Sequence, residues 1–126
     1  RNAIPRRNPI AVEADTKTML QSLERVSVVI SEKLKSPVRC IFEDGYVTMS
    51  ARTANGDAKD ICRIAGDGKG LEIGFNNRYL MDALRYAPAD TVRIELNTGI
   101  SPAIIVPVGG EENFLYMVLP VRLKAN

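Results

Sequence analysis

Phe75-Asn76-Asn77-Arg78-Tyr79-Leu80-Met81-Asp82-Ala83-Leu84-Arg85-Tyr86-Ala87-Pro88 is the stretch that decides the fold, because its apolar period changes part-way. Leu71 to Phe75 reads as a strand, whereas Leu80, Ala83, Leu84 and Ala87 recur at helical spacing. Asn76 stands at the change, where a side-chain carbonyl accepts the first free N–H groups of a helix. Pro88 has no N–H to continue the helix, which is therefore predicted to end near Tyr86.

Downstream, strands are predicted over Thr91 to Asn97, Ala103 to Val108 and Phe114 to Val121, the last two joined by a Gly109-Gly110 hairpin. Upstream, three strand-like runs, Val38 to Glu43, Tyr46 to Ala51 and Lys59 to Ala65, are separated by Asp44-Gly45 and Asn55-Gly56 turn chemistry. Gly66-Asp67-Gly68-Lys69-Gly70 reads as a hairpin loop leading into Leu71. A first helix is predicted from Thr16 to about Lys35, capped by Asp15 or Thr16, with Met19, Leu20, Leu23, Val26, Ile30 and Leu34 on one face. The strand Ile10 to Ala14 precedes it. Residues 1–9 carry three arginines and two prolines without either period and read as an interdomain linker, so the folded domain is expected over 10–126.

The element order is then β-α-β-β-β twice over. Val38-Arg39 with Gly45 and Val92-Arg93 with Gly99 recur at a constant offset of 54 residues, which marks an internal pseudo-repeat. The expected fold is α+β, with two antiparallel sheets as one wall and two helices packed side by side on the other.

Composition narrows the function. The 126 residues are 45% hydrophobic and 25% charged, as in an ordinary folded domain, and the net charge is only +2, so any attraction to nucleic acid has to be local. Histidine is absent, which removes His-based nucleophile systems and His-ligated metal sites. Cys40 and Cys62 lack zinc-site spacing and read as small apolar residues of a reducing compartment. No apolar run approaches the ~20 residues of a membrane span, so a soluble, cytoplasmic protein is expected. The chain opens on Arg1 instead of Met, as expected of a piece of something longer.

No catalytic constellation emerges. Glu111-Glu112 at a hairpin tip reads as a solvated pair, and the Gly66–Gly70 segment lacks the strand-to-helix setting and the Lys-Ser/Thr of a phosphate loop. The helices say more. Val28 and Val29 lie about 140° and 240° from Leu23 by helical geometry, off the core stripe, either incidentally exposed or part of a partner surface. Arg78 and Arg85 share an outer face with Asp82 between them, either a salt-bridged surface or a phosphate contact. Tyr79 and Tyr86 flank the core side of the same helix and suit a core or a groove. The closing run Tyr116-Met117-Val118-Leu119-Pro120-Val121-Arg122-Leu123 is apolar at nearly every position, and its proline confines it to an edge, either an awkward apolar surface or a groove for an extended peptide.

Phe75 to Leu84, followed by Val92-Arg93-Ile94 and closing with Tyr116 to Leu123, resembles the C-terminal domain of the bacterial DNA polymerase III beta subunit, the sliding clamp family. The likeness extends over essentially the whole chain, and Arg1 to Pro5 resembles the end of the linker that enters that domain. It implies the clamp fold, a doubled βαβββ unit. It also implies a processivity factor without catalytic residues, metal or cofactor, two subunits of three domains each closing around duplex DNA. By the same resemblance, Arg25, Lys33, Arg78 and Arg85 face DNA without reading its sequence. A groove of Asn76, Tyr79, Pro102, Met117, Val118, Leu119, Pro120, Val121 and Arg122 takes linear motifs of the polymerase III catalytic subunit, the clamp loader and repair polymerases. Val28, Val29, Asp57, Lys59 and Asp60 meet the second subunit. The chain departs from the family pattern at Lys59, which sits among acids, at Asn2 and Ala3 in the linker, and in Lys124-Ala125-Asn126 beyond the usual Arg-Leu end. The alternatives are a self-contained nucleic-acid-binding domain, which would need base-reading aromatics or a basic stripe, and an enzyme working through Asp, Glu, Lys or Tyr.

Overall fold

The computed structural model describes residues 9–31, 36–109 and 114–123. Its elements run β1 (Ile10–Asp15), α1 (Thr16–Ser27), β2 (Val38–Thr53), β3 (Gly56–Phe75), α2 (Asn77–Tyr86), β4 (Thr91–Leu96), β5 (Ala103–Pro107), β6 (Tyr116–Val118) and β7 (Pro120–Val121). The strands form one curled antiparallel sheet in the order β2-β3-β1-β4-β5-β6, with β7 added to β3. The α+β class is as expected, but the two sheets are continuous through β3.

The long hairpin β2–β3 corrects the sequence reading. Asn55-Gly56 does close it, while Asp44-Gly45 and Gly66–Gly70 reverse nothing and lie within the paired strands. Between the pairs Phe42↔Leu71 and Tyr46↔Arg63, three residues of β2 face seven of β3. Bulges of this kind shift the side-chain alternation. Accordingly β2 buries Val38, Cys40 and Phe42, then switches to Val47, Met49 and Ala51. In the surplus, β3 turns toward β1, where Ala65 pairs with Glu13. Gly68 passes so close beneath Phe42 that a Cβ there would lie 2.3 Å from the phenylalanine Cβ. Only glycine allows that approach.

Helix α1 is shorter than its apolar period suggests. It begins on Asp15, whose carboxylate accepts from the Thr18 N–H at 2.9 Å, and it ends at Ser27. The Ser27 hydroxyl donates back to the Leu23 carbonyl at 2.8 Å, and the Ile30 N–H reaches Ser27 O at 2.9 Å, a tighter turn than the α-helix. The β-branched run Val28-Val29-Ile30 adds low propensity at this point. Met19, Leu23 and Val26 are buried as expected, and Leu20 and Ile30 pack half-buried against them. Leu34 lies outside the described residues. Helix α1 rests on β2, β3 and α2, and α2 rests on β6, so Leu80, Ala83 and Leu84 join the same core as Phe75, Ile94 and Val118.

Candidate functional site

The Asn76 side chain caps α2 as read from the sequence, accepting from the N–H groups of Arg78 at 2.9 Å and Tyr79 at 3.3 Å. The residue before it, Phe75, pairs with Pro120 of β7, which brings the capped helix end beside the closing segment. That segment is two short strands instead of one. β6 lies on β5 through Val118↔Ala103 and Met117↔Ile104, and after Leu119 the chain crosses to β3 as β7. Pro120, with no N–H to donate, sits at the switch. Tyr79, Met117 and Leu119 are 58%, 44% and 64% exposed, Arg122 is exposed, and Pro102, Pro120 and Val121 are half-buried. Val118, expected in the groove, is 1% exposed and belongs to the core beneath it. Tyr79 and Tyr86 both face solvent, which removes the core reading of these rings.

On the outer helix faces, Arg85 reaches Glu24 of α1 at 3.5 Å and Asp82 of its own helix at 3.6 Å. Four cations, Lys17, Arg25, Arg78 and Arg85, share α1 and α2 with two carboxylates, Glu24 and Asp82. Lys33 falls outside the described residues, as do Glu111, Glu112 and Lys124–Asn126.

At the far end of α1, Val28 is 78% exposed, but Val29 leaves the helical path and packs half-buried against the core, its carbonyl accepting from the Thr53 hydroxyl at 2.7 Å. Arg25 does not stand free on the helix face. Its Nε and Nη2 donate to Asp60 Oδ2 at 3.1 and 2.8 Å, and the buried Ser22 hydroxyl donates to the same oxygen. The Ser22 bond above all holds the Asp60 carboxyl below the usual carboxylate range; burial opposes it, and the Arg25 guanidinium adds further lowering by hydrogen bond and charge. Asp57 is paired with Arg52 at 3.2 Å, while Lys59 remains exposed between the two acids. Ser22 is the residue the sequence reading missed. Its signal was the i, i+3 spacing to Arg25 on one helix flank.

The sequence profile of the DNA polymerase III beta subunit, C-terminal domain, matches residues 1–122. This chain belongs to that family. It is 34% identical over 122 residues to the beta sliding clamp of Synechocystis, covering 95% of this chain and 31% of the relative, and 30% identical to that of Caulobacter vibrioides over 95% and 32%. Thus it spans about a third of the length of the curated relatives it matches. The DNA polymerase sliding clamp of Pseudomonas aeruginosa superposes with a TM-score of 0.87 at 26% identity, covering 95% of this chain and 33% of that one. A Bartonella birtlesii sliding clamp solved bound to griselimycin gives 0.86 at 27%, covering 95% and 32%.

Within this clamp domain the two thiols are structural. Burial pushes the Cys40 thiol up to about 12, and burial, followed by the nearby Asp60 and Asp15 carboxylates, raises that of Cys62. Both shifts favour the protonated thiol over the reactive thiolate.

Proposed function

We propose that the domain is the C-terminal module of a sliding clamp subunit, a non-catalytic processivity factor that holds the replicative polymerase on duplex DNA in the cytoplasm. Residues 1–9 serve as the linker from a preceding domain to the module at 10–126. The observation that carries the reading is the set of exposed apolar side chains, Tyr79, Met117 and Leu119, at the capped end of α2, where Phe75 pairs with Pro120. This surface suits a short extended peptide with aliphatic and aromatic anchors, with Asn76, Pro102, Pro120, Val121 and Arg122 around them. Its partners are linear motifs of the polymerase III catalytic subunit, the clamp loader and repair polymerases.

The helix face turned to duplex DNA carries Arg78 and Arg85, with Lys33 and Arg25 expected beside them. The tether of Arg25 to Asp60 favours a smaller share for it. The surface toward a second subunit is the exposed Val28 with Val29 behind it and the β3 edge at Asp57, Lys59 and Asp60. Both acids already have cationic partners within the chain, so this junction rests more on apolar contact than on charge.

Titration of the isotopically labelled chain with a Gln-x-x-Leu-Phe peptide, beside a scrambled control, tests the groove. Amide shifts confined to Asn76, Tyr79 and the Met117–Arg122 segment are expected. No response at millimolar peptide would overturn it. For DNA, weak affinity falling steeply with salt is expected, and tight binding to one sequence would sink the clamp reading in favour of an independent nucleic-acid-binding domain.

A further inference from the structure

The closing strand has little to hold it. β7 is two residues long and pairs with β3 only at Gly74↔Val121 and Phe75↔Pro120, and Pro120 has no N–H to give. Beyond it the chain continues through Arg122 to Leu123. A Cβ built on Gly74 would stand 2.5 Å from Leu123 Cδ2, 2.9 Å from Leu123 Cγ and 2.9 Å from the Val121 carbonyl oxygen. The leucine side chain therefore lies directly on the bare backbone of Gly74, with no side chain between them. Gly74 is not a left-handed position, so close approach is what glycine supplies there.

We propose that Leu123 and Gly74 form a latch that positions the groove: Leu123, itself outside the peptide-contacting set, fixes β7 and with it the aim of Leu119 and Val121. The inference rests on the peptide-groove reading. The physical argument is one of entropy. Two ladder positions, one of them proline, are too few to order the segment, and an apolar side chain packed on a neighbouring strand supplies the missing restraint. A wall ordered before the peptide arrives lowers the cost of binding.

The test measures peptide affinity and backbone hydrogen exchange on the 126-residue chain and on Leu123→Ala, Leu123→Met and Gly74→Ala, using the same Gln-x-x-Leu-Phe peptide. Near-identical melting curves show that Leu123→Ala remains folded. Leu123→Ala is expected to weaken peptide binding about tenfold and to speed exchange at Val121. Leu123→Met, which keeps the reach, restores both. Gly74→Ala, whose Cβ meets the Val121 carbonyl whatever occupies 123, reproduces the loss. Unchanged exchange at Val121 in Leu123→Ala overturns the latch, and so does faster exchange with unchanged affinity. If the unsubstituted chain itself ignores the peptide, the groove reading fails, and the latch fails with it as a groove-positioning device even where Val121 exchange responds.

Discussion

The C-terminal end of α1 and the N-terminal end of α2 both leave large apolar side chains in solvent, yet they are fixed by different forces. Around Val28 the fastening is polar: Ser22 and Arg25 converge on Asp60, and the Thr53 hydroxyl holds the Val29 carbonyl. Around Tyr79 the fastening is a side-chain cap and packing, with Asn76 on two N–H groups, Phe75 buried against the core and β7 laid on β3. The contrast teaches that a surface built on ionic contacts keeps one shape while the pH and salt suit it. One built on a short strand and apolar contact depends instead on how well that strand is seated. On the function proposed above, the first would serve a fixed subunit contact and the second a succession of different peptides.

Breaking the packed end gives the largest effect. Phe75→Ala is expected to cost about 3–5 kcal/mol in urea unfolding, since the ring is fully buried and its removal leaves a cavity in the core. Equal stability would mean that the groove end is not part of the core. Asn76→Ala removes the acceptor for two N–H groups and is expected to cost about 1 kcal/mol, with amide changes concentrated at Arg78 and Tyr79.

Asp60→Asn probes the charged end and is expected to cost under about 1 kcal/mol at neutral pH, because the pair is partly exposed. Its pH dependence is the sharper test. The folded carboxyl lies below its unfolded value, so its stabilising effect is complete above about pH 4 and fades as the pH falls through the folded value. The difference between the parent and Asp60→Asn should therefore shrink on acidification, and added salt should shrink it too. A gap that does not change as the pH falls below about 4 would mean that shape, not charge, fastens this end. Val28→Ser, at a side chain already in water, should change stability by less than about 0.5 kcal/mol.

Much of this was legible locally. Asn76 and Asp15 both cap, Pro88 lies just beyond the end of α2, the buried faces of both helices follow the apolar period, and Asn55-Gly56 makes the β2–β3 hairpin. The residues around the proposed groove were legible as an apolar edge. Their division into exposed Met117 and Leu119 and buried Val118 was not, because a run apolar at every position does not tell which side faces the sheet. Helix α1 was overextended because its apolar spacing continues after its hydrogen bonding stops.

The sequence by itself determined the periods, caps and stops, since each depends on residues within a turn or two of one another. Tertiary structure decided what the glycines of β2 and β3 do, because Asp-Gly and Gly-rich segments serve a turn or a bulge according to whether a neighbouring strand is there to pair with. It also decided that the last strand divides between β5 and β3, and that Arg25 spends its charge on Asp60, 35 residues away. Ladder partners and ion pairs are contacts between distant parts of the chain, and a single sequence carries no local mark of which distant group will arrive.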